Sequence, residues 1–349
     1  MIYWILLVAI ILVLRNVVLQ MPEGMQRQVL EDKYCRWVWF IIVLMAALRS
    51  DKVGADTFSY MIDYLLMPSY NSFSDLNNRY EGYLGYYYTS KVFSLCQMPL
   101  QVWFGFVEAL YAFALYQFTK RFSKDKLFSI LIFVTSGLFT FSLAGMKQVA
   151  SMSLMLMAFL SFLDKKYIKM VLCILGSYSC HSAGLIFLAV FPLYFLRNRR
   201  YFVSLVLATG IVSYVYGNLF MSKMVDMLGD DHFESYLEND NSYTSVTLIY
   251  YCVILGLSTL GYKYYKINDP NMAKFVLGIS FLVCSMQSLA GLSPNMFRLA
   301  LSYAPFLMIM LPNASYYYRN KHLGWVIIGC VVFYFLYVNR NTPYSFFFF

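Results

Sequence analysis

Charge is in short supply in this chain: 13% of its 349 residues are Asp, Glu, Lys or Arg, against roughly 25% in a soluble domain. With 60% hydrophobic residues and a mean hydropathy of +0.58, that shortage excludes a soluble globular reading. Histidine is scarcer still, with three in all. The seven cysteines (Cys35, Cys96, Cys173, Cys180, Cys252, Cys284, Cys330) stand singly, mostly inside apolar runs, with no CxxC pair and no ligand spacing. Neither a structural disulfide nor a zinc site is expected, and no metal or other cofactor. A basic leader and a small-residue cleavage site are also missing around the apolar run at 2–14, which reads as a first span and not as a cleaved signal. The net charge of +9 forms no continuous basic stripe, so nucleic acid is excluded as a partner.

What the chain does have is apolar length. Runs fall at about 2–19, 37–48, 100–118, 127–144, 149–163, 168–178, 183–196, 201–220, 246–262, 275–290, 297–311 and 323–338, predicting an all-α polytopic transmembrane helical bundle of about twelve spans. The two runs flanking Ser179 and His181 are either one long tilted helix or two half-length elements meeting at a turn. A single integral membrane domain over residues 1–349 is expected. About nineteen of the 27 lysines and arginines cluster in alternate connections, among them Arg15, Arg27 and Lys33, Lys120 to Lys126, Lys165 to Lys169, and Arg197 to Arg200. By the positive-inside rule these connections are cytoplasmic and both termini face outward. The opposite side then carries two sizeable loops, at about 50–99 and 221–245, the second bearing Asp226, Asp230, Asp231, Glu234, Glu238 and Asp240. Binding groups collect on loops held by a rigid scaffold, which points to the outer face.

A few polar groups stand out there. Arg49 to Tyr60 packs two acids and two bases around Gly54 directly after the second run. That pattern suits an ordered, functional turn, and equally an interfacial cap in which Arg49 reaches headgroups and Asp56 caps the next helix. Arg79, Tyr80, Glu81, Gly82 and Tyr83 open a tyrosine-rich stretch that suits the membrane interface or the apolar faces of sugars. Lys147, followed by Gln148, starts a helix, where a cation opposes the helix dipole unless a bound anion relieves it. A snorkelling lysine is the other reading. His181 lies among apolar residues at the same face, either as packing or as an ionisable group with a function. Arg298 and Arg340 complete a set that the loop charges assign to one membrane face.

In order along the chain, several of these positions carry a pattern: Arg49 with Val53-Gly54-Ala55-Asp56-Thr57 and Tyr60, Glu81-Gly82-Tyr83, Lys147-Gln148 with Ala150, His181-Ser182-Ala183, Arg298 with Tyr303, and Pro343-Tyr344. The pattern resembles the EpsG/Wzy family of bacterial exopolysaccharide and O-antigen polymerases, with lysine at 147 where the family commonly has arginine. The resemblance implies a metal-independent glycosyltransferase of the bacterial cytoplasmic membrane, its site facing the periplasm or exterior. Its substrate is then an undecaprenyl-diphosphate-linked oligosaccharide, transferred onto a lipid-linked repeat unit. Membrane lipid, a flippase and a chain-length regulator are the implied partners. Arg49, Lys147, Arg298 and Arg340 are the expected diphosphate ligands, since fixed cations stabilise a leaving diphosphate. His181 is the expected base, with Asp56 and Glu81 orienting it or binding sugar hydroxyls, and Tyr60, Tyr83 and Gln148 are the expected sugar contacts. A flippase or transporter of the same lipid, or another lipid-sugar transferase such as an O-antigen ligase, is the alternative.

Overall fold

The computed structural model describes residues 2–70, 72–80, 83–212, 215–216, 243–262, 265, 270–288, 294–315, 321–339 and 344–348. Among them the backbone is helical, and an isolated antiparallel bridge between Arg49 and Phe346 is the sole β pairing. The chain forms two compact units, residues 1–188 with 328–349, and residues 189–327.

Two described helices, α1 (Ile2–Gln20) and α9 (Met146–Leu163), are each long and apolar enough to cross a membrane. A third crossing is available to α7 (Lys126–Thr135) and α8 (Leu138–Ala144) together, bent by 57° where the run at 127–144 was expected to be continuous. The bend has a local cause: Gly137 takes the left-handed conformation (φ 86°) that ends α7. Several of the other apolar runs form helices of 10–17 residues, shorter than the ~20 residues that cover a hydrocarbon core.

In the first unit α1 packs on α2 (Met25–Ala47) and α7, α2 on α6 (Leu100–Phe122), α6 on α9, α9 on α10 (Tyr167–Cys180), and α10 on α5 (Leu84–Leu95). Every residue of α7 is buried, as its apolar circumference requires. An ionic cluster and an aromatic one mark opposite ends of this unit. At one, Arg15 pairs with Asp125 at 2.7 Å, and Lys126 pairs with Glu31 and Asp32 at 3.1 and 2.8 Å, tying α1, α2 and α7. At the other, Trp4 meets Tyr344 edge-on at 5.4 Å, and Arg49 bridges to Phe346. From Glu31 to Arg49 is roughly 27 Å along the helix axis, near the thickness of a hydrocarbon core.

The segment at 50–99, expected as a loop, folds into α3 (Thr57–Leu66), α4 (Phe73–Arg79) and α5, built around Tyr60, Tyr64, Met67, Leu76, Tyr80, Tyr86 and Tyr87. The two runs around His181 are separate elements. Helix α10 ends at Cys180, His181 is extended (φ −166°, ψ 124°), and a 3-10 turn over Ser182–Ala189 follows. Without a hydrophobic drive in lipid, helices join through close packing and small polar residues. Here Ser151 of α9 meets the Ser177 hydroxyl at 2.7 Å and donates to the His181 carbonyl at 2.9 Å.

The second unit holds α11 (Val190–Leu196), α12 (Phe202–Val212), α13 (Tyr243–Leu260), α14 (Pro270–Ser288), α15 (Pro294–Tyr303), α16 (Pro305–Ser315) and the start of α17 (Lys321–Val338). Phe275 centres its aromatic packing, against Tyr194, Phe202 and Phe306. Proline at 305 divides the run expected at 297–311 into α15 and α16.

A Cβ on Gly184 would stand 1.9 Å from the Ser151 hydroxyl and 2.6 Å from that of Ser177. Gly184→Ala is expected to cost about 1–3 kcal/mol through overpacking, read as a lower thermal midpoint in detergent. An unchanged midpoint would show that the His181 turn is not held this tightly.

Candidate functional site

Arg49, one residue beyond the α2 cap position, turns inward and is 3% exposed. Its guanidinium donates to the Ala46 carbonyl at 2.6 Å, the Met146 sulfur at 3.1 Å and the Thr57 hydroxyl at 3.4 Å, and lies 4.1 Å over the Phe104 ring. The sequence pattern assigns it to a diphosphate, yet as placed it is inside the packing, and a ligand could reach it only if these contacts parted. Thr57 continues the clamp by donating to Val53 O at 2.6 Å and Leu143 O at 3.1 Å. Gly54 is required there: its φ is 93°, and a Cβ would meet Leu143 O at 2.5 Å.

Met146 opens α9, so the clamp sets the next residue, Lys147. Its ammonium is caged by tyrosines, with ring centres at 4.4 Å (Tyr83), 5.3 Å (Tyr87) and 5.7 Å (Tyr60), and it donates to the Tyr87 oxygen at 3.3 Å. Electron-rich ring faces offset the unfavourable position of a cation at a helix N-terminus. Tyr83 neighbours both groups: its ring also lies 5.1 Å from the His181 ring. Lys147, Tyr83 and His181 are all half-buried, whereas Tyr60 and Gln148 are buried.

The His181 ring is oriented through Nδ1, which accepts the Ala183 backbone N–H at 3.1 Å. Neutral His181 therefore carries its proton on Nε2 and presents a donor. To act as a base it would have to break that bond. Asp56 occupies the N-cap position of α3 but makes no capping side-chain hydrogen bond, and it precedes Tyr60 by one turn. Arg298 lies exposed on α15 in the second unit. Glu81 and Arg340 fall outside the described residues. Among the described residues no group of three or more His, Cys, Asp or Glu is placed to hold a metal.

Two acids escaped the sequence reading. Asp63 accepts the hydroxyls of Tyr80 and Tyr87 at 2.9 and 2.8 Å, and those rings stack at 3.7 Å. Burial and the adjacent Asp63 carboxylate push both phenols well above their ordinary range, so their protons stay in place. Asp56, Tyr60 and Asp63 recur at helical spacing, a signal legible beforehand. Glu108, the lone acid of the run at 100–118, is 2% exposed in α6, interacts electrostatically with Arg49, and has one oxygen without a hydrogen-bond partner. Its position inside an apolar run was the available signal.

Comparison with known proteins yields no match among curated proteins and none among solved structures. The model of the EpsG family matches residues 33–348, nearly the whole chain, in which the Arg49 clamp, the tyrosine-caged Lys147 and the His181 turn all lie. The chain belongs to the EpsG family.

Proposed function

We propose that this protein is a polysaccharide polymerase that transfers an undecaprenyl-diphosphate-linked glycan onto a lipid-linked repeat unit at the outer face of the cytoplasmic membrane. The observation that carries the reading is the juxtaposition of Lys147, Tyr83 and His181, three half-buried groups from three separate elements. An ammonium and an imidazole N–H near one aromatic ring match a ligand with a diphosphate beside a sugar.

In this reading the acceptor hydroxyl attacks the anomeric carbon, the bond from that carbon to the phosphate oxygen breaks, and the lipid diphosphate leaves. Lys147 and the Nε2–H of His181 stabilise the charge developing on the leaving oxygens. The hydroxyl proton passes to a carboxylate, and we assign Asp56 on the strength of its place in the sequence pattern, one helical turn before Tyr60. Tyr83 packs against the sugar, with Tyr60 behind it. Arg49 serves by fixing Met146 and Lys147, and Arg298 and Arg340 are retained as further diphosphate ligands on the strength of their places in the sequence pattern. The twelve-span topology and the outward site, supported by the alternating loop charge, belong to the same proposal, as do the flippase and chain-length partners that the family resemblance implies.

Purified protein supplied with a lipid-linked repeat unit should lengthen the lipid-linked chain; translocation of the unit without growth would make it a flippase instead. Lys147→Ala and His181→Ala should each lower kcat/KM by about 10²-fold, the usual worth of a donor to a developing anion. Lys147→Arg should retain activity, since its planar fork grips phosphate as well. Near-normal elongation in both alanine variants would relocate the site. For orientation, single cysteines introduced at Asp56 should react with an impermeant thiol reagent from outside and those at Lys124 should not. The reverse pattern would invert the topology.

A further inference from the structure

The Lys147 ammonium sits at the end of a directed chain of hydrogen bonds. Lys147 Nζ donates to the Tyr87 oxygen at 3.3 Å, Tyr87 donates to Asp63 Oδ2 at 2.8 Å, and Tyr80 donates to Asp63 Oδ1 at 2.9 Å. A phenol has one proton. Because Asp63 takes the one on Tyr87, the lone pairs of that oxygen are left to face Lys147. The direction is therefore set by the carboxylate, two bonds away from the ammonium it serves.

We infer that Asp63 is a positioning residue which, by fixing the Tyr87 hydroxyl, holds the Lys147 ammonium beside Tyr83 in the orientation an anionic ligand requires. The hold on Lys147 stands on the geometry alone; its use in binding a diphosphate rests on the proposed function. Asp63 is also well placed to do this without quenching the site. Its two oxygens are occupied by phenols, so it balances the lysine charge at one remove and does not form a close ion pair that would compete with a ligand.

The chain makes isosteric changes informative. In Asp63→Asn one oxygen becomes an amide N–H₂, which donates instead of accepting. If that group faces Tyr87, the phenol proton turns toward the ammonium and the contact becomes repulsive; if it faces Tyr80, the site still loses the carboxylate charge. Tyr87→Phe keeps the ring under the cation and removes only the oxygen. Tyr80→Phe removes the other arm and leaves the Lys147 contact whole.

The test is the acetylation rate of Lys147 in the full-length, detergent-solubilised protein, read by mass spectrometry against the exposed Lys52 as internal reference. Asp63→Asn and Tyr87→Phe should speed labelling of Lys147 by about three- to tenfold, the worth of one hydrogen bond, while Tyr80→Phe stays within about twofold of wild type. Unchanged labelling in both of the first two variants, or equal acceleration in all three, would overturn the inference. Should Asp63→Asn fail to run as a single size-exclusion peak, Tyr87→Phe against Tyr80→Phe decides it alone. Elongation assays on the same variants separate the two ideas: faster labelling with normal chain growth would leave the hold on Lys147 standing and remove Lys147 from the reaction.

Discussion

The buried guanidinium of Arg49 is the interaction on which the site depends. The last carbonyls of a helix have no partner within it, and at the end of α2 several are met from outside the helix. Leu44 O receives the Leu48 N–H, Met45 O the Tyr344 hydroxyl, Ala46 O the Arg49 guanidinium, and Leu48 O the Phe347 N–H. Arg49 spends its remaining contacts on Thr57, the first residue of α3, and Met146, the first of α9, with Phe104 of α6 beneath it. Desolvating a guanidinium is costly unless acceptors replace its water. Here the contacts come from α2, α3, α6 and α9, so these four elements are held in common.

Lys147 inherits its place from that clamp. A lysine beside an acid would be neutralised, and one in open water would be mobile and screened. Three tyrosine faces and one phenol oxygen hold this ammonium at the start of α9. The same economy of means appears at His181, where a backbone N–H at Nδ1 turns the ring into a donor. Both devices favour negative charge next to Tyr83. The opposite end of the unit is built differently, with Arg15 and Lys126 in close pairs with Asp125, Glu31 and Asp32. Its cations are consumed by structure.

Much of this was legible beforehand, and for identifiable reasons. Apolar runs report helices directly, and α1, α9 and α10 fall within a few residues of their runs. Breaks inside a run are harder to see: Gly137 bends one and Pro305 divides another, because composition averages over a single residue that backbone geometry does not. Likewise the stretch at 50–99 looked like a loop, since its tyrosines and short apolar patches only make sense as α3 to α5 once Tyr60, Tyr80, Tyr86 and Tyr87 face one core. Lys147, His181, Tyr83 and Tyr60 stood out in the sequence and lie together in the fold, while Asp63 and Glu108 were hidden by neighbours less polar than they are.

The sequence by itself determined the helical, membrane-type character and the family, because hydrophobic length and the order of short motifs are local properties of the chain. It also singled out which polar residues needed a reason to be there. Only the tertiary structure decided what those residues do to one another. That Arg49 points inward and fixes Lys147, and that Asp63 governs Tyr87, depend on contacts between groups 97 and 24 residues apart, while the Nε2–H of His181 follows from the local turn to Ala183. Hydrogen-bond direction is a property of partners, and partners distant in sequence meet only in the fold.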